Sequence, residues 1–310
     1  MILAAALAIA LSDTFVVEGG RGPGKGKHVV LLAGDEEYRS EEMLPQLAKI
    51  LAKHHGFKCT VVFSLNEKGE IDPNARGRQP GIEALDSADV CVMMLRFRRW
   101  DDAQMKHFVE YQRSGKPLIA LRTSTHAFDY PPESQSPYKV YSWRAPEWKQ
   151  VVGETWVSHW GRHGSQATRG KIVASHPVLR GVEDVFGTTD VYEAAPTGVQ
   201  VLMRGEVVDG MSPGDSPATD KKKTAAGVEQ AVNDPMMPIV WVREQVLTCT
   251  MGAATDFVNP GFRRLLVNSV YWGAGLPVPA AASVELVGSY VPSRFGFDGF
   301  LKDRKPGGSR

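Results

Sequence analysis

Continuous apolar runs alternate with amphipathic stretches along the first 126 residues of the chain. Runs of this kind are typical of strands that are buried on both faces of a parallel sheet. They occur at His28–Ala33, Phe57–Phe63, Val90–Met94 and Pro117–Leu121. With helical segments between these strands, the pattern predicts an α/β fold with a doubly wound, mostly parallel central sheet.

The amphipathic stretches predict the helices. Glu41–His55 has its apolar side chains on one stripe, with Ser40 as the expected N-cap and Gly56 as the expected stop. A second helix is expected to start at Asp101 or Asp102. Beyond residue 126 we expect an aromatic-rich excursion over 128–148, strands at 201–208, 238–242 and 246–250, and a helix at 261–273.

The chain of 310 residues shows no internal repeat, and its length suits one α/β domain. We assign residues 28–276 to this domain, 13–27 to a loosely draped, Gly-rich leader and 277–310 to an extension that wraps the surface. Met1–Leu11 is an apolar run of signal-peptide length, so residues 1–12 predict a periplasmic or secreted protein. A buried first helix is the alternative. No later segment is long and apolar enough to span a membrane.

Charge and cysteine content narrow the function. The chain has 36 basic and 35 acidic residues and a formal net charge of +1, so no basic field predicts nucleic-acid binding. A small, neutral or mildly charged substrate is expected instead. Cys59, Cys91 and Cys249 each lie in an apolar, strand-like run, and we expect them to be buried hydrophobes without a disulfide framework or a metal cluster.

Polar residues crowd the loops that follow the predicted strands, where ligands of an open parallel sheet bind. The loop Gly34–Ser40 lacks the glycines and the lysine of a phosphate-binding loop, so neither a nucleotide nor a flavin is expected. Carboxylates, guanidinium groups and aromatic faces are groups that bind sugars. We therefore assign a substrate-binding role to Asp35, Glu36, Tyr38, Arg96, Arg122, Trp156 and Trp160. A structural web of ion pairs among the acids and arginines is the alternative.

The segment Gly153–Gly164 reads G-E-T-W-V-S-H-W-G-R-H-G and concentrates imidazole, indole and carboxylate groups. His159 and His163 stand four apart, which would place both on one face of a helix, but the glycines favour a short strand and a turn. We assign His126, His159 and Glu154 as candidate catalytic residues. We expect His126, His159 and His163 to offer a site for a divalent metal such as Zn. A wet aromatic loop with hydrogen-bonded histidines is the alternative.

Five blocks of the chain resemble secreted members of the ThuA-like family, which is named for trehalose utilisation. They are K-G-K-H-V-V-L-L-A-G-D-E-E-Y-R-S-E-E, L-R-T-S-T-H-A-F, G-E-T-W-V-S-H-W-G-R-H-G, N-D-P-M-M-P-I-V-W and R-R-L-L-V-N-S-V-Y-W. The resemblance implies a class I glutamine amidotransferase-like fold, which is a flavodoxin-like three-layer sandwich. It also implies a role in carbohydrate metabolism. Amidotransferases place a cysteine after the fourth strand, whereas this chain has Arg122-Thr123-Ser124-Thr125, so thiolate glutaminase activity is not expected.

Three hypotheses of function follow. The first is an exported carbohydrate-processing enzyme, a hydrolase or isomerase of a sugar or oxidised (3-keto) sugar, assisted by a metal. The second is a non-catalytic sugar-binding or scaffold protein with the same pocket. The third is a hydrolase that uses Ser124 as nucleophile. In the first, His159 is expected to face His126 across a cleft.

Overall fold

The computed structural model describes residues 13–307, so the predicted signal segment 1–12 lies outside the described residues. Within this range the helices are α1 (Ser40–His55), α2 (Asp102–Arg113), α3 (Pro146–Val152) and α4 (Pro260–Gly273). The strands are β1 (Thr14–Val17), β2 (His28–Gly34), β3 (Lys58–Phe63), β4 (Val90–Leu95), β5 (Leu118–Leu121), β6 (Ser158–His159), β7 (Ala167–Ile172), β8 (Phe186–Gly187), β9 (Tyr192–Glu193), β10 (Gln200–Val208), β11 (Lys221–Lys223), β12 (Glu229–Ala231), β13 (Met237–Arg243) and β14 (Val246–Cys249). Across residues 13–307, every helix is too short or too polar to cross a membrane.

A ten-stranded sheet in the order β1-β3-β2-β4-β5-β14-β13-β10-β7-β8 forms the centre of the molecule. Strands β3, β2, β4, β5 and β14 are parallel to their neighbours within this group. Numbered by their order along the chain, these five strands stand 2-1-3-4-5, which is the strand order of flavodoxin-like folds. The predicted doubly wound α/β fold is therefore confirmed.

Antiparallel strands extend this parallel core at both edges. Strands β13, β10, β7 and β8 continue the sheet beyond β14. At the opposite edge, β1 pairs with β3 in a register that runs from Thr14↔Val62 to Val17↔Cys59. We expected residues 13–27 to be loosely draped, and this is wrong for Thr14–Val17. These residues form a strand because the edge of β3 offers backbone hydrogen-bond partners.

Both faces of the parallel core are buried. Alternate residues of β2 point to opposite sides, so Val29 and Leu31 join the apolar cluster packed with α1 and α4. Val30 and Leu32 join the cluster packed with α2 and α3. Helices therefore cover both faces of the sheet, which confirms the predicted three-layer sandwich.

Helix α1 follows the prediction at its C-terminal end only. Gly56 ends the helix with a φ of 81°, and its N–H donates to the Ala52 carbonyl. Ser40 is not the N-cap, because Arg39 holds that position with a φ of 63°. The Ser40 hydroxyl instead accepts a hydrogen bond from the Asp35 amide (3.1 Å). It therefore fixes the loop after β2 rather than the end of the helix.

The C-terminal extension runs along α1. Carbonyl groups at positions 283, 285 and 287 accept hydrogen bonds from three α1 side chains in turn, namely His55, His54 and Gln46. Further on, the Ser293 amide donates to Glu42 in the first turn of the helix (2.7 Å). The extension thus travels from the C-terminal end of α1 to its N-terminal end, beside the loop that follows β2.

Val30→Ala is expected to lower the free energy of unfolding by about 2–3 kcal/mol, because Val30 is fully buried in β2 and loss of two methyl groups leaves a cavity. The matched change Val228→Ala should alter it by less than about 0.5 kcal/mol, since Val228 is 58% exposed. Urea denaturation of both variants measures the difference. Equal effects of the two changes would contradict the burial pattern.

Candidate functional site

The turn after β5 holds the residue around which the site is built. Strand β5 ends at Leu121, and Arg122 follows with a φ of 43°, in the left-handed region that residues other than glycine rarely occupy. A 3-10 helix spans Arg122–His126. The whole Arg122 side chain is buried, and it reaches from the parallel core toward the antiparallel half of the molecule.

Arg122 and Asp190 form a buried ion pair, with Nη2 and Oδ1 2.8 Å apart. The same guanidinium donates to the carbonyls of Asp190 (2.6 Å) and Thr250 (2.8 Å) and to the Tyr38 hydroxyl (3.1 Å). Its central carbon lies 3.7 Å from the ring centroid of Tyr192, a cation–π contact. Because Arg122 is buried and its Nη atoms bind protein groups, the geometry contradicts its predicted substrate-binding role.

Asp190 in turn contacts two histidines. Its Oδ2 lies 2.8 Å from Nδ1 of His159, and its Oδ1 lies 3.1 Å from Nδ1 of His163. Burial alone would raise the pKa of Asp190, but Arg122 and the two histidines outweigh burial and hold this pKa well below its usual range. Asp190 is therefore ionised at neutral pH.

His159, His163 and Asp190 together offer ligand atoms for a metal. One such atom from each residue lies within 4.8 Å of the other two, and this donor set suits a divalent ion. The sequence predicts His126 as the third ligand, but the group with this spacing in residues 13–307 contains Asp190 instead. His159 lies in strand β6 and His163 in the turn that follows, and the centroids of their imidazole rings are 4.6 Å apart. The two histidines are therefore not on one face of a helix.

His163 also faces the loop after β2. Its Nε2 lies 3.3 Å from a carboxylate oxygen of Glu37, while its Nδ1 faces Asp190. The hydrogen bond with Asp190 raises the pKa of His163, and partial burial opposes only part of this effect. The imidazole of His163 is therefore suited to hold a proton between two carboxylates.

His126 is a different kind of histidine. It is 3% exposed, and burial, together with the charges of Arg96 and Arg122, lowers its pKa well below the usual value. Its Nδ1 lies 3.2 Å from the Thr125 hydroxyl, which donates its single proton to the Arg122 carbonyl (3.3 Å). We therefore assign His126 as the Nδ1–H tautomer, with the lone pair on Nε2. At neutral pH it is an uncharged imidazole with one basic nitrogen.

Aromatic rings link His126 and His159. Trp156 and Tyr192 each contact both histidines, with ring centroids 5.4–6.5 Å apart. Phe97 adds a further ring 4.9 Å from His126. The predicted proximity of His126 and His159 thus takes the form of shared aromatic neighbours. Trp156 and Phe97 are partly exposed and form the surface on which an apolar or carbohydrate face would pack, whereas Tyr192 is buried behind them.

Two tryptophans of the aromatic segment serve the core instead. Trp160, predicted as a sugar platform, is 1% exposed and donates its ring N–H to the Val232 carbonyl (2.9 Å). Trp148 is fully buried and donates to the Ser124 carbonyl (3.1 Å). The burial of Trp160 contradicts its predicted substrate-binding role, whereas Trp156 lies beside His126 and its role remains a prediction.

The acids of the loop after β2 are engaged with protein groups. Asp35 accepts hydrogen bonds from two loop amides and from the Thr123 hydroxyl, and burial raises its pKa to about 6. Glu36 accepts from three arginines at 2.7–3.0 Å, namely Arg76, Arg96 and Arg98. The structural web of ion pairs therefore describes Glu36 better than substrate binding does, and Asp35 is engaged in hydrogen bonds to backbone amides and a hydroxyl.

Tyr38 and Arg96 have different positions in this web. Tyr38 is fully buried, with Arg122 on one side and the Phe295 ring on the other, so its predicted contact with substrate is contradicted. The Arg96 side chain keeps 17% of its surface exposed and lies 4.6 Å from the centroid of Phe97. Arg96 therefore keeps part of its side chain accessible to a ligand at the edge of the site.

Two further candidates lie outside the arrangement. Glu154 pairs with Lys149 (2.8 Å) and accepts from the Thr155 amide, and none of its contacts in the described chain is with a histidine. Ser124 is fully buried and donates its hydroxyl proton to the Met93 carbonyl (3.0 Å). The geometry therefore supports neither a catalytic role of Glu154 nor a serine nucleophile.

The three cysteines of the chain are all buried, and burial raises the pKa of each thiol.

Asp190, Tyr192 and Phe295 belong to the site although no motif in the sequence marks them. Asp190 lies in T-T-D-V-Y-E, which has no motif that distinguishes its carboxylate from other acids. Phe295 belongs to the C-terminal extension and contacts both Tyr38 and His163, with ring centroids 5.4 Å apart in each case. Only the pairing of distant segments brings these residues to the site.

Asp190→Asn is expected to lower the free energy of unfolding at pH 7 by about 3–5 kcal/mol, because it leaves the charge of Arg122 buried without its partner. Asp209→Asn is the matched control. Asp209 pairs with Arg162 (2.6 Å) on the surface, where such pairs contribute about 0–1 kcal/mol. Denaturant unfolding measures both. A loss for Asp190→Asn no larger than that of the control would contradict the importance of the buried pair.

The stabilisation by Asp190 should also depend on pH. Its pKa is lower in the folded than in the unfolded chain, so its contribution is present above the unfolded pKa of about 3.8 and is lost as pH falls through the folded pKa. The difference in stability between wild type and Asp190→Asn should therefore stay level from pH 7 down to about pH 4, and we expect it to shrink as pH falls from about 4 to about 2. A constant difference over this range, measured by unfolding at each pH, would argue against the assigned ionisation.

No protein-family model and no curated protein matches the chain. Solved structures do match it. A ThuA-like protein from Bacteroides uniformis ATCC 8492 superposes with a TM-score of 0.52 at 15% identity, over 82% of this chain and 94% of that chain. A ThuA-like protein from Parabacteroides merdae ATCC 43184 also gives a TM-score of 0.52, at 12% identity, over 88% of this chain and 98% of that chain.

A glutamine amidotransferase from Thermotoga maritima is also similar, with a TM-score of 0.39 at 11% identity, over 79% of this chain and 97% of that chain. At these identities the likeness concerns the fold. The two ThuA-like structures cover most of this chain and nearly all of their own length. The chain therefore has the fold of the ThuA-like proteins, as its sequence motifs predict.

Proposed function

We propose that the chain is an exported, metal-assisted enzyme that processes a sugar or an oxidised (3-keto) sugar derivative. The observation that carries the proposal is the group of His159, His163 and Asp190, whose ligand atoms lie within 4.8 Å of one another. Structural zinc sites usually have four protein ligands, whereas catalytic sites have three and keep a position open. Three protein ligands beside the neutral imidazole of His126 favour the catalytic kind.

The residues present suit a divalent ion such as Zn. Two imidazoles and one carboxylate form a common ligand set for it, and Arg122 behind Asp190 orients the carboxylate. Glu37, on the other side of His163, would orient that imidazole as carboxylates behind metal ligands do. A bound metal would supply Lewis-acid polarisation of a substrate oxygen.

His126 offers the site a neutral imidazole nitrogen. Burial and neighbouring positive charge keep it neutral at pH 7, and hydrogen bonding to Thr125 leaves the lone pair on Nε2. Such a nitrogen can take a proton from a water, from a sugar hydroxyl or from a carbon next to a carbonyl. Hydrolysis and isomerisation of a sugar derivative both need a step of this kind.

A carbohydrate substrate fits the remaining surroundings. The partly exposed Trp156 offers a ring face for the C–H side of a sugar, and the partly exposed Arg96 offers N–H donors for its hydroxyl groups. The resemblance to a family named for trehalose utilisation supports the same substrate class. The periplasmic or secreted location rests on the apolar residues 1–12 of the sequence.

A non-catalytic sugar-binding or scaffold protein is the second candidate. It is favoured by the internal satisfaction of the charged groups, because Asp190 and Glu36 already bind arginines and histidines of the protein. In this case His126 and His159 would only form hydrogen bonds with a bound glycan. The two candidates differ in metal content and in turnover.

Wild-type protein is expected to bind one Zn²⁺ per chain in isothermal titration calorimetry. Partners behind metal ligands already contribute about 10–100-fold to affinity, so His159→Ala and His163→Ala should each weaken binding by about a hundredfold or more. His107→Ala is the matched control, since His107 pairs with Asp86 (2.7 Å) away from this group. Equal affinities in all four proteins would contradict the assigned ligands.

His126→Gln is expected to lower kcat by about 10²–10⁴-fold with little change in KM, because it removes the basic nitrogen and not the aromatic walls. Turnover of glucosides, trehalose-like disaccharides and their 3-keto derivatives is followed with the metal-loaded protein. His107→Gln serves as control. Tight sugar binding that survives His126→Gln and His159→Ala, with no turnover of any sugar tried, would instead establish the binding protein.

A further inference from the structure

A run of three lysines lies on the hairpin formed by β11 and β12. Its members are equivalent in the sequence but not in the structure, because alternate residues of a strand point to opposite sides. Lys221 and Lys223 are exposed, whereas Lys222 is half-buried. The middle lysine of the run therefore faces the protein, and its two neighbours serve as natural references for it.

The ammonium group of Lys222 binds the backbone at one of the candidate metal ligands. Its Nζ donates to the carbonyl of His159 and to the carbonyl of Trp160 (3.4 Å), and it lies 5.8 Å from the centroid of the Trp160 ring. These two are its hydrogen bonds within residues 13–307, so its charge is directed at carbonyl oxygens and not at a carboxylate. Hydrogen bonds from a charged donor are stronger than those from a neutral one.

Further contacts tie the same hairpin to the segment around β6. Glu193 in β9 accepts a hydrogen bond from the Ser158 hydroxyl (2.8 Å) and, with its other oxygen, from the amide of Ala225 in the hairpin turn (2.7 Å). The Trp160 ring donates to the carbonyl of Val232, which directly follows β12. The hairpin thus supports this segment at several points, and Lys222 is the contact that reaches the histidine itself.

Strand β6 has little support of its own. It consists of Ser158 and His159, and it pairs with β9 in a two-stranded sheet that is separate from the ten-stranded sheet. A ladder of this size is marginally stable by itself. Without the ammonium group, two successive carbonyls at the end of this strand would lose their partner. The backbone of His159 could then shift relative to Asp190.

We propose that Lys222 is a positioning residue of the candidate metal site, where it holds the imidazole of His159 at its distance from Asp190. The inference rests on the proposed function, because it adds a residue to that metal site. Lys222 acts through the backbone and is not a ligand, since an ammonium group has no lone pair to offer a metal. A positive charge near a cation is unfavourable, so the contribution of Lys222 to metal binding would be geometric.

The test is calorimetric titration of the full chain with Zn²⁺ in wild type, Lys222→Met, Lys221→Met and Lys223→Met. Each substitution removes one positive charge from the same short strand, which by itself should strengthen binding of a cation or leave it unchanged. Lys222→Met should instead weaken Zn²⁺ binding by about tenfold, as loss of a residue that orients a metal ligand does. The other two variants should bind at least as tightly as wild type.

Lys222→Arg tests the same role by rescue. Its guanidinium keeps a positive charge and several N–H donors, so it should restore most of the affinity that Lys222→Met loses. Thermal unfolding verifies that each variant is folded. If Lys222→Met does not fold, Lys222→Gln gives the same comparison, because its amide is uncharged and its side chain is shorter.

A measurement without metal separates this inference from the proposed function. Nδ1 of His159 lies 2.8 Å from the carboxylate of Asp190, and the ¹⁵N shifts of the His159 ring report this contact by NMR. Lys222→Met should change these shifts, whereas Lys221→Met and Lys223→Met should leave them as in wild type. If wild type binds no Zn²⁺ but the shifts depend on Lys222, the metal site is refuted and the positioning of His159 stands.

Either of two results would overturn the positioning role. The first is a wild type that binds Zn²⁺ together with a Lys222→Met variant that binds it as tightly as Lys221→Met and Lys223→Met do. The second is a metal-free Lys222→Met variant whose His159 ring shifts equal those of wild type.

Discussion

The buried ion pair between Arg122 and Asp190 joins the two halves of the molecule. Arg122 follows the last residue of a parallel strand, whereas Asp190 precedes β9 in the antiparallel part. Both candidate metal-binding histidines contact the same carboxylate, and the rings of Tyr38 and Tyr192 pack against the guanidinium. The positions of the imidazoles therefore depend on a charge pair that a substrate cannot reach.

The backbone at Arg122 explains why this pair can exist. A left-handed φ at a residue other than glycine costs on the order of 1–3 kcal/mol and persists only where the surroundings impose it. Here the backbone directs a long cation into the interior, where several hydrogen bonds hold it. The turn after β5 thus serves as the anchor of a buried cation.

The fold was predictable because its determinants are local. The four apolar runs before residue 126 became β2, β3, β4 and β5 within one or two residues of the expected bounds, and Gly56 ended α1. Ser40 failed as a cap because its hydroxyl binds the Asp35 amide, a choice that depends on how the preceding loop folds. The sequence also predicted the strands after residue 200, but it did not predict that β13, β10, β7 and β8 pair in antiparallel fashion.

The site was predictable only in part, because long-range pairing assembles it. His159 and His163 stood out by residue type, whereas their partner Asp190 lies about thirty residues further on and arrives through the pairing of β6 with β9. Trp156 and Trp160 are equivalent in the sequence, yet one contacts His126 and the other hydrogen-bonds to Val232 in the core. Glu36 was predicted to bind a sugar, but three arginines from other loops pair with its carboxylate, and the sequence does not show this pairing.

The route of the C-terminal extension has a consequence for biosynthesis. Phe295 closes against Tyr38 and His163, so the site combines residues from near both ends of the chain. The parallel core can pair its strands while synthesis continues, but the neighbourhood of His163 is completed only when residue 295 has emerged from the ribosome. A nascent chain whose strands have already paired therefore still lacks the Phe295 ring that packs beside His163.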